Sequence, residues 1–186
     1  MSSEESFEDT LRVLSDYSDL LCIRGDSNFV EKLSNISCPI INCGNGDDEH
    51  PTQALTDIFT ISEKFGQIDN LRICIAGDLL HMRTGHSLTS ILSNFNNLQI
   101  SLVSPLTLQM PQKYIQGHKN NQITQSDNFV KAISEADVIY MTGFAPKTPV
   151  GNFSDEERFN YQLNEKTLKK ITQKTPKTWK ELSDLE

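Results

Sequence analysis

HPTQALTDIFTISE, His50 to Glu63, is the stretch from which the architecture can be read. Pro51 suits the first helical position, where a missing N–H leaves no hydrogen bond unmade. The spacing predicts a helix over Pro51–Phe65 with Leu55, Ile58, Phe59 and Ser62 on one face and Ile61 and Phe65 beside it. Upstream, CPIINCGNGDDE (Cys38–Glu49) reads as a short strand over Cys38–Asn42, followed by a turn-rich acidic segment that delivers His50 to the helix start. Downstream, Leu71–Ala76 is nearly all apolar, as expected of a parallel strand covered on both faces, and it leads into GDLLHMRTGHSL, Gly77–Leu88.

Working outward, strands and helices alternate. Ser6 or a neighbour caps a first helix carrying Phe7, Leu11, Val13 and Leu14, with Glu8 and Asp9 favourable in its opening turn. Leu20–Arg24 reads as a buried strand and Asn28–Ser34 as a helix. Helices over Ser87–Phe95 and from Ser126, its cap, to Glu135 alternate with strands at Ile100–Val103 and Asp137–Thr142. His118–Gln125 reads as a polar loop, and the polar tail after Ile171 has Trp179 as its one large apolar anchor. The β-α-β order implies right-handed crossovers and open parallel sheets. The expected fold is therefore α/β, with helices on both faces of the sheets in two lobes. The long helix sets the expected boundary, giving domains 1–64 and 65–186.

Composition narrows the partners. The 186 residues carry a net charge of −8, against nucleic acid and anionic membranes, which require basic patches. No apolar run approaches the ~20 residues of a membrane span. The acidic MSSEESFEDT start lacks the layout of a signal peptide, so a cytoplasmic chain is expected. Cys22, Cys38, Cys43 and Cys74 form no CxxC pair and lie in or beside apolar strand candidates, where cysteine behaves as a small hydrophobe rather than a zinc ligand or disulfide partner.

The chemistry-bearing residues cluster at strand ends. Ligands of open α/β sheets sit beyond the carboxyl ends of the strands, where Arg24, His50, Asp78 and Gly143 fall. His50 and Gln53, three apart, share one face of a helix start. An imidazole, an amide and the Arg83 guanidinium together suit a carbonyl, its amino group and a carboxylate. The plainer readings are a capping His50, a solvated Gln53, an Arg24 merely leaving its strand and an Arg83 paired with Asp78. His86 reads as structural, and His81 and His118 as solvated loop residues.

HPTQ after CPIINCGNGDDE, followed by GDLLHMRTGHSL, resembles aspartate carbamoyltransferase, in the aspartate/ornithine carbamoyltransferase superfamily. The likeness runs from about Phe7 to about Lys170. It implies transfer of a carbamoyl group from carbamoyl phosphate to the amino group of L-aspartate, in de novo pyrimidine biosynthesis. It also implies a homo-oligomer, a trimer, and no cofactor or metal, since the reaction runs on electrostatic preorganisation and orientation. By the same resemblance His50 donates to the carbonyl oxygen, Gln53 holds the carbamoyl amino group, Arg24 contacts carbamoyl phosphate, and Arg83 forks onto the acceptor's α-carboxylate, a geometry lysine cannot reproduce.

The chain departs from that family at three places. No S-T-R-T-R phosphate loop precedes the first strand, so the first lobe is expected to be incomplete; nor is there the Ser/Lys loop lent by a neighbouring subunit. The Leu-Pro segment and the returning helix are absent at the other end. Internally, Gly143 and Ala145 stand where the family shows an arginine and a glutamine for the acceptor's side-chain carboxylate, and Lys147 or Arg158 could supply that charge, with Lys147 the candidate. The resulting expectation is a chain truncated at both ends, inactive alone and poorly soluble. The alternative is a non-catalytic remnant acting as an interaction or regulatory partner.

Overall fold

The computed structural model describes residues 6–26, 29, 33, 36–46, 48–144 and 160–171. Its helices are α1 (Phe7–Asp16), α2 (Pro51–Phe65), α3 (Arg83–Leu92), α4 (Phe129–Glu135) and α5 (Glu165–Ile171), and its strands β1 (Leu21–Gly25), β2 (Ile40–Asn45), β3 (Arg72–Gly77), β4 (Gln99–Val103), β5 (Gln122–Ser126) and β6 (Val138–Gly143). β1 and β2 form one parallel sheet; β5-β4-β3-β6 form a second, all of whose neighbours run parallel. The α/β architecture with parallel sheets is that read from the sequence. Among the described residues no helix is long and apolar enough to cross a membrane.

By contact, the chain divides into two compact units, Met1–Gln67 with Arg83–Ile91, and Ile68–Met82 with Leu92–Glu186. Against the expected domains 1–64 and 65–186, the difference is α3, which groups almost whole with the first unit.

In the first unit, Ser6 caps α1 by accepting from the Asp9 N–H at 3.1 Å, as its sequence context predicts. Leu11, Ile23 and Phe29 form the core, with Leu21, Leu33, Ile36 and Ile40 against it. Gly25 makes room for Phe29: a Cβ there would meet the ring at 2.8 Å. The buried face of α2 carries Ala54 and Ile61, whereas Leu55 and Phe59 are exposed. Apolar side chains surround much of this helix, so periodicity alone could not select the buried face. The helix predicted over Asn28–Ser34 lies largely outside the described residues.

In the second unit, β3 is buried from Ile73 to Gly77. The core joins Cys74, Ala76 and Val103 to Phe129, Ala132, Ile133 and Ala136 of the α4 region and to Tyr161. Burial pushes the Cys74 thiol up to about 12; Cys22, by contrast, is exposed. Arg72 and Asp137 fasten the starts of β3 and β6: the Arg72 N–H and Nε–H both donate to Asp137 Oδ2, at 2.9 and 3.0 Å. Two expectations are corrected here. The segment predicted as a polar loop contains β5, an edge strand whose alternating Gln, Thr and Ser suit a half-solvated position. The cap of α4 is Asn128, which accepts from the Lys131 N–H, while Ser126 accepts from the Asn128 N–H one step earlier. Trp179 lies outside the described residues.

Two glycines differ in what they tolerate. Gly66 ends α2 in the left-handed conformation at φ 73, with open space around it. Gly77 ends β3 at φ 129, and a Cβ there would stand 2.5 Å from Thr142 Oγ1 and 2.7 Å from the Gly143 carbonyl oxygen. Gly66→Ala should cost about 1 kcal/mol, the ordinary left-handed penalty. Gly77→Ala adds a backbone collision and should cost more than about 3 kcal/mol. Denaturant unfolding of the two variants checks the order, and equal midpoints would refute it.

Candidate functional site

The parallel pairing of β1 with β2 sets Gly25 beside Asn45, so the two strands end together. Arg24 carries the last side chain of β1, which ends at Gly25. Its stem passes over Gly44, where a Cβ would come within 3.4 Å of it, and the positive φ of Gly44 (142) keeps that approach backbone-only. No hydrogen bond or ion pair within the described residues engages its guanidinium.

The five residues from Gly46 to His50 carry the chain from β2 into α2. Gly46 N–H donates to the Gly25 carbonyl at 2.8 Å, and the N–H of Asn45 to the Glu49 carbonyl at 3.0 Å. The start of α3 completes the fastening. Arg83 Nη1 donates to the Gly46 carbonyl, the His50 N–H donates to Ser87 Oγ at 2.7 Å, and His86 Nδ1–H donates to the Asp48 carbonyl at 3.3 Å. Arg83, His86 and Ser87 lie within a turn and a half of α3, which is how three contacts reach one loop.

His50 caps α2. Its Nδ1 accepts the Gln53 N–H and faces the Thr52 hydroxyl, each at 3.4 Å. With Nδ1 occupied as an acceptor, the ring proton belongs on Nε2, which leaves an Nε2–H donor. Desolvation, then the charges of Arg83 and Arg24, hold the His50 pKa below 6.5, the ordinary value for histidine; Asp57 opposes them. The imidazole is therefore neutral near pH 7. Gln53, one turn into α2, donates through Nε2 to Asp57 Oδ1 at 2.9 Å.

Arg24, His50, Gln53 and Arg83, the four described residues singled out in the sequence, thus belong to one compact unit. Arg83 is engaged by the Gly46 carbonyl. Asp78 is fully buried and accepts from the His81 N–H and ring Nδ1 at 3.0 Å, so His81 is tied into the end of β3 rather than solvated. His118 likewise has a partner, Asn121, at 3.2 Å. Gly143 ends β6 at φ 73 and accepts from the Asp78 N–H at 2.9 Å. Ala145, Lys147 and Arg158 lie outside the described residues. Ser87 and Asp57 were missed in the sequence. Ser87 was hidden inside the HSL motif, and Asp57 was signalled only by its i+4 spacing from Gln53.

An imidazole, an amide and two guanidinium groups thus share one compact unit of an α/β protein with parallel sheets. Comparison with known proteins narrows the class. The model of the aspartate/ornithine carbamoyltransferase carbamoyl-P binding domain matches residues 1–63, and that of the Asp/Orn binding domain matches residues 69–176. The chain belongs to the aspartate/ornithine carbamoyltransferase family. It is 44% identical over 140 residues to an aspartate carbamoyltransferase catalytic subunit of Methanococcus maripaludis, covering 74% of this chain and 46% of that one. To the catalytic subunit of Picrophilus torridus it is 39% identical over 176 residues, covering 90% and 56%. Aspartate transcarbamoylase from Trypanosoma cruzi, crystallised with carbamoyl phosphate, superposes with a TM-score of 0.80 at 31% identity, covering 92% of this chain and 57% of that one. The chain therefore spans about half the length of the relatives it matches.

The two arginines should be visible in the titration of His50. Removing a nearby positive charge makes protonation easier, so Arg83→Gln should raise the His50 pKa and Arg24→Gln should raise it less, the order of their contributions. Because the folded pKa is depressed, the folded state also loses stability as pH falls below 6.5, where the unfolded imidazole takes up its proton first. NMR titration of the imidazole follows both effects, and a His50 pKa unmoved by either substitution would contradict this electrostatic picture.

Proposed function

We propose that this chain is an aspartate carbamoyltransferase-type protein whose first unit binds carbamoyl phosphate and whose reaction is carbamoyl transfer to the amino group of L-aspartate. The observation that carries the reading is the His50 cap: its Nδ1 accepts the Gln53 N–H, which leaves Nε2–H as a donor in the unit that also holds Arg24 and Arg83. A protonated imidazole would compete with the arginines for phosphate; a neutral one offers an Nε2–H to a carbonyl oxygen.

The chemistry follows from those groups. The acceptor amine attacks the carbonyl carbon, and charge develops on the carbonyl oxygen, where the His50 Nε2–H donates. Gln53 accepts from the carbamoyl amino group. Arg24 compensates the phosphate, which departs with the electrons of the broken C–O bond while the amine gives up its proton. Arg83 holds the acceptor's α-carboxylate, exchanging its present bond to the Gly46 carbonyl for that ligand. We assign Lys147 to the acceptor's side-chain carboxylate in place of the arginine for which Gly143 stands. The reaction belongs to pyrimidine biosynthesis, in the cytoplasm, and the working form is a homo-oligomer, a trimer.

The purified chain should bind carbamoyl phosphate in calorimetry, and an assay for N-carbamoyl-L-aspartate decides between turnover and the expectation of a chain inactive alone. Where turnover is measured, His50→Ala should lower it by roughly 10²–10³, the usual effect of losing one oxyanion donor. Lys147→Ala should weaken aspartate while leaving carbamoyl phosphate affinity unchanged. Absence of carbamoyl phosphate binding to the folded chain would overturn the proposal, and unchanged aspartate affinity would remove Lys147 from it.

A further inference from the structure

We propose that Asp57 is a positioning residue, its carboxylate fixing the Gln53 side-chain amide so that Oε1 is offered to the amino group of the carbamoyl ligand. The inference deepens the functional reading above and rests on it.

A glutamine amide has two nearly isosteric orientations, one presenting an acceptor and the other a donor. The carbamoyl amino group has N–H donors, its lone pair being delocalised into the carbonyl. Only one orientation of Gln53 can therefore recognise it. Asp57 selects that orientation, because an ionised carboxylate accepts hydrogen bonds and donates none. Gln53 Nε2 lies 2.9 Å from Asp57 Oδ1, and a flipped amide would set two oxygens against each other. Both residues stand on α2, four apart, so the helix itself maintains the pairing.

A second observation sets this carboxylate apart from an ordinary helix-surface pair. Asp57 Oδ2 is buried and has no hydrogen-bond partner among the described residues. Fastening the helix alone would not require a buried, half-satisfied carboxylate, since such an acceptor is costly to retain. Holding an amide in one orientation does require an acceptor-only group at that place.

The test compares carbamoyl phosphate with acetyl phosphate, in which a methyl group replaces the amino group. Calorimetry on the full chain gives both affinities for wild type, Asp57→Asn and Asp57→Leu. Wild type should prefer carbamoyl phosphate, and Asp57→Leu should lose roughly threefold to tenfold of that preference, the worth of one hydrogen bond. Its acetyl phosphate affinity should be unchanged. Asp57→Asn, whose amide can donate as well as accept, no longer selects one orientation of Gln53 and should lose part of the preference.

A swap keeps the proposal open to refutation if Asp57→Leu fails to fold. Gln53→Glu sets two carboxylates together and should abolish the preference; adding Asp57→Asn supplies an NH₂ donor to the new glutamate and should recover part of it. In the unliganded protein, the Gln53 side-chain NH₂ resonances should shift in Asp57→Leu. A wild-type preference that survives in Asp57→Leu, a swap without recovery, or unmoved Gln53 resonances each overturn the proposal. Wild type binding neither phosphate would sink the functional reading as well, and so tells the two failures apart.

Discussion

The loop from Gly46 to His50 leaves backbone groups outside any sheet ladder, and unpaired buried backbone is too costly to tolerate. The start of α3 satisfies three of them: Arg83 takes the Gly46 carbonyl, Ser87 takes the His50 N–H, and His86 takes the Asp48 carbonyl. The rest of the candidate site depends on this fastening. It fixes where β2 ends and where α2 begins, and hence where the His50 ring and the Gln53 amide stand. It also explains why α3 groups with the first unit although β3, which precedes it, belongs to the second. The sequence segment GDLLHMRTGHSL thus serves both: its opening residues close β3, and its RTGHS portion holds a loop more than thirty residues upstream in the chain.

That dependence gives Arg83 two alternative partners for one guanidinium. Without ligand it donates to a backbone carbonyl; in the proposed reaction it meets a carboxylate. A charged hydrogen bond to a carboxylate is stronger than one to a neutral carbonyl, so the exchange is favourable. The fastening itself does not collapse when Arg83 turns away, because the bonds of Ser87 and His86 to the same loop remain. The loop is held redundantly, and that redundancy allows a structural arginine to act also as a ligand-binding one.

What could be read in the sequence and what could not follow from the same physics. The α2 start was legible because Pro51 and the apolar spacing restrict the backbone locally, and β3 was legible because burial on both faces demands an apolar run. β5 was not, since an edge strand composed of Gln, Thr and Ser resembles a loop in composition. Which face of α2 is buried was not legible, because a helix apolar on several sides carries no periodic signal for one side. His50 and Gln53 stood out through their motif, and Arg83 through its own. Ser87 and Asp57 did not, because a serine inside a helix and an aspartate at i+4 are ordinary surface residues until their partners are known. His81 illustrates the same point: it reads as a solvated loop residue, yet it forms a local pair with Asp78, whose acid is fully buried.

Asn45 Oδ1, at the end of β2, and Asp57 Oδ2, on α2 below Gln53, are both buried without a hydrogen-bond partner among the described residues. Each such acceptor costs about 1–3 kcal/mol, and nothing in the local backbone requires either side chain: Asn45 already makes its strand and loop contacts through the main chain, and α2 would form with any good helix former at position 57. Local stability therefore argues against both residues. For Asp57 the cost is offset in the proposed role of holding the Gln53 amide, whose Oε1 is the acceptor offered to the ligand; nothing in the structure explains the Asn45 side chain. The depressed pKa of His50 has the same character. Desolvation and the two neighbouring positive charges of Arg83 and Arg24 disfavour a charged His50 and weaken the folded state at low pH.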